Sequence, residues 1–162
     1  MKKLTKIIAV LAALTMLFAI PVMAREVSFS SENTDVLIQL LNGNAAKVQG
    51  QLADWKKVQC GPGADAIIAA QTAMVNSKLA AVNKECAQNH INLLKGKVYN
   101  AKQLEATRLA QLNNFKTLYA GSASWIGELQ KAQKEYDDCV AARVAAEAYL
   151  AAAQTKLAPF LK

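Results

Sequence analysis

Apolar residues recur along this chain with the spacing of helices. In the first such stretch they fall at steps of four and three, at Leu41, Ala45, Val48, Leu52 and Trp55. Such steps place the side chains on one face of a helix, as in the seam of a coiled coil. Asn33 or Thr34 is suited to cap the start of this helix. The segment Cys-Gly-Pro-Gly at 60–63 ends it, because Gly61 favours a left-handed turn and Pro62 cannot continue a helix. The pattern predicts a helix over about 34–60.

A second and longer stretch, 64–119, contains no proline and a single glycine, Gly96. Its apolar residues drift around the helix in two tracks related by eleven-residue spacing, Val82, Leu93, Leu104 and Phe115, and Leu79, Ala101 and Leu112. Eleven-residue spacing indicates a straight or slightly right-handed seam. We therefore expect one continuous helix over 64–119. The alternative is a break near Gly96, which would give a compact four-helix bundle.

The third stretch carries the most regular pattern in the chain. After a turn at 120–124, with Ser124 as the expected N-cap, steps of four and three run to the C-terminus and predict a helix over 124–158. Trp55 and this helix's Trp125 are both expected in the core. The residues of this seam that we expect to make helix-to-helix interactions are Trp125, Leu129, Ala132, Tyr136, Arg143, Leu150 and Leu157. The predicted fold class is all-α, with three helices folded as long antiparallel coiled-coil hairpins.

Opposite charges support pairing of the last two helices. If the chain folds back about 121–123, Arg108 meets Glu135, Lys116 meets Glu128, and Lys97 meets Glu147. Charges that flank a seam set its orientation and register. Each exposed pair contributes at most about 1 kcal/mol, so the pairs specify the arrangement more than they stabilise it.

The first residues have the features of a secretory signal peptide. Three lysines precede an apolar run at 7–20, Pro21 follows, and Ala24 completes a cleavage site. We expect 1–24 to be cleaved, 25–33 to be a flexible lead-in, and 34–162 to form a single helical domain without a stable membrane span. The expected location is secreted or periplasmic. The formal charge of +7 includes the three signal lysines, which leaves +4 on the mature chain. No nucleic-acid partner is expected.

The three cysteines, Cys60, Cys86 and Cys139, are an odd number for an exported protein. In a straight hairpin no two of them approach within the roughly 7 Å between Cα atoms that a disulfide needs. Three interpretations are open. In the first, the cysteines are small buried thiols. In the second, they form disulfides between molecules, and in the third, a break in the second helix brings Cys86 towards Cys139.

The residues that carry chemistry are sparse. His90 is the single histidine, and no metal-binding, nucleophile or phosphate-loop motif is present. Cys86 and His90 share a helix face, but no third group orients the histidine and no oxyanion donors adjoin it. We interpret His90 as a polar interface residue. The prediction is a protein without enzymatic activity, cofactor or metal.

Residues 118–157 contain an aromatic-Gly-Ser turn at Tyr119, Gly121 and Ser124, then Ala132-Gln133 and Tyr136, and then alanine repeats that end in Tyr149-Leu150. In these features the segment resembles the periplasmic helical hairpin of the TolC-like outer-membrane efflux family. It implies a hairpin geometry and a role in the cell envelope. The chain lacks that family's duplicated pattern and its barrel strands, and its aromatic-to-glycine spacing differs by one residue.

Together these features predict an exported, non-catalytic coiled-coil protein. It would act as a scaffold or protein-interaction module in the envelope or outside the cell, through protein partners or as a homo-oligomer. The first alternative is an accessory or degenerate helical component of a TolC-like export channel. The second is a basic helical holdase that clamps unfolded exported chains.

Overall fold

The computed structural model describes residues 33–121 and 125–162. Within these ranges the chain forms three α-helices, α1 (Thr34–Lys57), α2 (Ala64–Leu118) and α3 (Ile126–Leu157), followed by a short 3₁₀ helix (Ala158–Leu161). The part of the chain that the structure describes contains no strand. The prediction of an all-α fold with three helices is confirmed. The expected signal peptide and lead-in lie outside the described residues, apart from Asn33.

Helix α1 begins where its capping residue predicted. The Asn33 side chain accepts a hydrogen bond from the Asp35 backbone N–H at 2.9 Å, which satisfies one of the unpaired donors of the first turn. The helix ends at Lys57, three residues earlier than predicted. Gly61 and Gly63, with φ of 105° and 87°, then supply the left-handed backbone that turns the chain into α2.

Helix α2 is continuous for 55 residues and passes through Gly96 without a break. The alternative of a four-helix bundle broken near Gly96 is therefore wrong. Gly96 is exposed, and a methyl group added to it would meet no other atom within 4 Å. The glycine therefore marks neither a turn nor a close helix contact, and the good helix formers around it are sufficient to keep the helix intact.

The start of α3 differs from the prediction. Trp125 occupies the N-cap position and makes no capping hydrogen bond through its side chain, while Ser124 lies outside the described residues. Helix α2 ends three residues before Gly121, which has a φ of 85° and belongs to the turn. At the other end Pro159 lies in the 3₁₀ helix, so α3 stops just before it, as expected for a residue that lacks a backbone donor.

The chain divides into two compact units. The first extends to Gln88 and also includes Pro159–Lys162, and the second is Asn89–Ala158. Both contain part of α2. Folding of 34–162 as a single domain stays a prediction.

In the first unit α1 packs against the beginning of α2. Val48, Leu52 and Trp55 of α1 form a buried cluster with Val75 and Leu79 of α2. The seam predicted for α1 is confirmed, because Leu41 is also buried and Ala45 packs against the cluster. A hydrogen bond of 2.8 Å from Gln49 Nε2 to Asn76 Oδ1 joins the two helices beside the cluster.

In the second unit the buried face of α2 keeps one of the two predicted tracks, since Ala101 is half-buried and Leu112 is buried, but it leaves out two leucines of the other. Leu93 and Leu104 are 47% and 52% exposed, so their assignment to the seam was wrong. The protected positions step by three and four, at Ile91, Leu94, Val98, Ala101, Glu105, Arg108, Leu112, Phe115 and Tyr119. Two of them are charged, which is why apolar residues alone did not reveal the repeat.

Candidate interaction surface in the second unit

The residues predicted to form the seam of α3 lie on one face of that helix. Every seam position from Leu129 to Leu157 is buried or half-buried, with Ala153 and Leu157 the most protected. Trp125, at the start of the pattern, is 39% exposed. The expectation that both tryptophans lie in the core is therefore confirmed for Trp55 and wrong for Trp125. That this face of α3 mediates interactions with other proteins stays a prediction.

Side-chain pairs show that α2 and α3 run antiparallel in the second unit. Arg108 and Glu135 form the predicted ion pair at 3.0 Å. Farther from the turn, Lys102 pairs with Glu147 at 2.9 Å. Nearer the turn, Lys116 donates to Gln133 Oε1 at 3.4 Å. The predicted Lys116–Glu128 pair was wrong, because neither residue belongs to an ion pair in the part of the chain described.

Four charged residues form a network at the contact between α2 and α3 and along its edge, which we call the charged seam: Lys102, Glu105, Arg143 and Glu147. Arg143 donates to Glu105 across the two helices and to Glu147 one turn along its own helix at 2.7 Å. Hydrogen bonding to Glu105, more than to Glu147, raises the pKa of Arg143 above its ordinary value. The pKa of Glu147 is lowered, chiefly by the hydrogen bond from Lys102. The seam therefore contains ionised groups with matched partners, an arrangement that favours one register and penalises others.

The turn end of this unit carries an aromatic stack. The rings of Phe115 and Tyr119 lie 5.7 Å apart, and those of Tyr119 and Trp125 lie 4.2 Å apart. Beside the stack is an open cleft of about 370 Å³, lined by Phe115, Lys116, Tyr119, Ala120, Gly121, Trp125, Ile126 and Leu129. Apart from Lys116, the lining side chains are aliphatic or aromatic. Ile126 is 56% exposed, so the cleft presents apolar surface to solvent.

Neither His90 nor any of the three cysteines is part of the cleft's lining. Cys60 is exposed in the loop after α1, while Cys86 and Cys139 are half-buried. No disulfide joins any two of them within the chain, and the continuous α2 excludes the fold in which a break brings Cys86 towards Cys139. Pairing of a cysteine between molecules stays a prediction. His90 is buried, as expected for a polar residue at a helix interface. Among residues 33–121 and 125–162 no cluster of three or more histidine, cysteine or acidic residues could hold a metal ion.

The sequence reasoning missed two elements of this surface. The first is the charged seam: Arg143 was placed on the seam of α3, but Glu105 was not recognised as a seam residue. The predicted partner of Glu147, Lys97, was wrong, because Glu147 pairs with Lys102 and Arg143. The second is the aromatic stack. The signal for both was the three-and-four stepping from Ile91 to Tyr119, which continues without interruption when charged residues are allowed in it.

Comparisons with known proteins found no family model, no curated protein and no solved structure that matches this chain. The resemblance of 118–157 to the TolC-like hairpin therefore stays a prediction. No helix within the described ranges is long and apolar enough to cross a membrane.

Proposed function

We propose that this protein is an exported, non-catalytic helical scaffold that binds other envelope or secreted proteins through its helices. The observation that carries the proposal is the turn end of the second unit. There an aromatic stack, an open apolar cleft and the exposed side chain of Ile126 lie together. Apolar surface that remains exposed next to a well-packed helix pair is typical of a protein-binding site.

The surroundings of the cleft suit a protein ligand. Tryptophan, tyrosine and phenylalanine bury large areas on binding with little loss of side-chain freedom. Lys116 adds one positive charge to the lining of the cleft, whose other side chains are aliphatic or aromatic. This combination favours a partner segment with apolar side chains and an acidic group nearby. Export is supported by the signal-peptide features of residues 1–24.

The proposal can be tested by photo-crosslinking at the turn. A photoreactive phenylalanine analogue replaces Ile126 in the expected mature chain, 25–162, and the protein is irradiated in the envelope fraction of its own organism. The control carries the same analogue at Ser77, an exposed position of α2 in the first unit. We expect a discrete protein adduct from position 126 that is absent from position 77 and is lost when Trp125→Ala is added. Equal labelling at both positions, or no adduct at 126, would refute the proposal.

A second candidate function is a basic holdase for unfolded exported chains. The same exposed apolar cleft favours it, together with the net positive charge of the chain. The two functions differ in selectivity, because a scaffold binds a folded partner and a holdase binds many unfolded clients. Suppression of aggregation of a chemically denatured protein, lost in Trp125→Ala, is the expected result for a holdase. A lack of any effect at molar excess excludes it.

A further inference from the structure

Lys116 is the one charged residue in the lining of the cleft. Its ammonium group donates a hydrogen bond of 3.4 Å to Gln133 Oε1, which is an uncharged acceptor. Among the residues that the structure describes, no carboxylate forms an ion pair with it. Three other cations at the contact between α2 and α3, Lys102, Arg108 and Arg143, each pair with a glutamate. The charge of Lys116 therefore differs from theirs in having no compensating partner in the described ranges.

A second hydrogen bond orients the amide group that faces Lys116. Gln133 Nε2 donates to Asp137 Oδ1 at 2.9 Å, one turn farther along α3. Because the amide nitrogen is held there, the amide presents its oxygen to the lysine. A lysine has three N–H donors, and this contact uses one of them. Lys116 is thus positioned beside the cleft with two donors left for a negatively charged acceptor.

The same arrangement determines the side from which an anion approaches. Asp137 lies on the side of Gln133 away from the turn, whereas Trp125 and Ile126 lie at the turn. A carboxylate placed beyond Gln133 would meet the like charge of Asp137, which is unfavourable. A carboxylate on the turn side meets Lys116 and at the same time adjoins the aromatic stack. The favoured ligand therefore carries its carboxylate close to an apolar group.

The cleft sets the size of that apolar group. Its volume of about 370 Å³ is at the lower end of the roughly 300–1,000 Å³ that is usual for ligand sites. It is open to solvent and has aromatic and aliphatic walls, so it accommodates one or two bulky apolar side chains of a longer segment.

We propose that Lys116 selects the partner of this cleft, and that the partner presents a bulky apolar side chain next to an acidic side chain. The inference rests on the proposed scaffold function and specifies the chemistry of the segment that is bound. Gln133 and Asp137 are positioning residues, because they hold the lysine and direct the carboxylate to the turn side.

Titration of the ¹⁵N-labelled mature chain with two matched peptides, followed by NMR, tests the proposal. The probes are acetylated and amidated tripeptides, leucine-phenylalanine-glutamate and leucine-phenylalanine-glutamine, which differ by one charge. We expect both to shift the indole N–H signal of Trp125, and the acidic peptide to bind about fivefold more tightly, as an exposed ion pair permits. This preference should decrease at high salt concentration. Equal dissociation constants, or no shift of Trp125 by either peptide at millimolar concentration, overturn the proposal.

Two variants show whether the preference comes from Lys116. Lys116→Gln removes the charge, and Gln133→Glu keeps the lysine but gives it a carboxylate partner within the chain. Both variants should bind the two peptides equally. Lys131→Gln, which changes an exposed lysine of α3 outside the cleft lining, is the control and should keep the preference. A preference that persists in Lys116→Gln, or that is lost equally in Lys131→Gln, overturns the assignment.

Asp137→Asn tests the direction of approach. Asparagine can still accept the hydrogen bond from Gln133, but it lacks the negative charge. The acidic peptide should then bind about twofold more tightly, with no change for the neutral peptide. If the acidic peptide bound no better to this variant, Asp137 would have no part in directing the carboxylate.

Photo-crosslinking at Ile126 separates this proposal from the scaffold function. If position 126 gives its specific adduct and the yield is the same in Lys116→Gln, the scaffold function stands and the acidic specificity is wrong. If the peptides show the expected preference but position 126 gives no adduct in the envelope fraction, the cleft's specificity stands and the scaffold function is wrong.

Discussion

Replacing Gly96 with alanine distinguishes the continuous α2 from the broken helix that the sequence left open. Glycine in a helix interior costs about 1 kcal/mol relative to alanine, because it loses more backbone freedom on folding. The backbone at Gly96 is helical, the residue is exposed, and an added methyl group meets no atom within 4 Å. Nothing in the structure therefore offsets the gain, and we expect Gly96→Ala to raise the free energy of unfolding by about 1 kcal/mol.

The assay is urea and thermal unfolding of the mature chain, followed by circular dichroism at 222 nm. For a chain of this size a gain of 1 kcal/mol corresponds to a rise in Tm of about 4 °C. The helix content of the folded state should stay the same or rise slightly.

Gly121→Ala is the control of opposite sign. Its φ of 85° lies in the left-handed region, where a side chain costs about 1–2 kcal/mol, so this variant should be destabilised. If Gly96→Ala also lowered the unfolding midpoint, the reasoning would be refuted. A methyl group on an exposed, regular helix cannot destabilise it, so the backbone at 96 would have to be a turn or a packed contact.

Three further predictions follow from burial and charge. Leu52→Ala should cost about 3 kcal/mol in unfolding free energy because Leu52 is buried in the cluster of the first unit, whereas the exposed Val58→Ala should cost almost nothing in the same urea titration. With Trp125→Phe the remaining Trp55 should resist acrylamide quenching of its fluorescence, and with Trp55→Phe the remaining Trp125 should be quenched readily. The pKa of Glu147 is lowered in the folded state, so its stabilising effect is complete above its ordinary value of 4.5 and is lost as the pH falls through the lowered value. Between pH 6 and pH 3 the urea midpoint should therefore decrease more in the wild type than in Glu147→Gln. An equal decrease in both proteins would contradict the role of the charged seam.

The parts of the fold that could be predicted from sequence are those in which several local signals agree. In α1 the cap at Asn33, the apolar steps to Trp55 and the glycines after Lys57 all indicate the same helix, and the structure has that helix. The antiparallel direction of α2 and α3 was predicted by the Arg108–Glu135 pair. In these cases each informative side chain is the usual one for its position: a polar residue at a helix cap, apolar residues on a buried face, glycines in a turn and opposite charges between two helices.

The buried face of α2 in the second unit could not be read in the same way. Leu93 and Leu104 are apolar but exposed, and Glu105 is charged but half-buried on the face that meets α3. Hydrophobicity alone selects the leucines and misses the glutamate. The position of Glu105 is understandable only with its partner, because Arg143 compensates its charge from the other helix. The stepping within α2 includes the position of Glu105, but it does not identify the residue of α3 that compensates its charge.

The positions of Glu105, Leu93 and Leu104 show what specifies the pairing of α2 with α3. A helix that places a glutamate at its buried face and two leucines outside it sacrifices apolar burial within the chain. The charged seam then has more effect on which register the helices adopt than on how stable they are, since ion pairs of this exposure contribute little net stability. The exposure of Leu93 and Leu104 is the consequence, because the three-and-four stepping that meets α3 passes through their neighbours Leu94 and Glu105 and leaves the two leucines outside it.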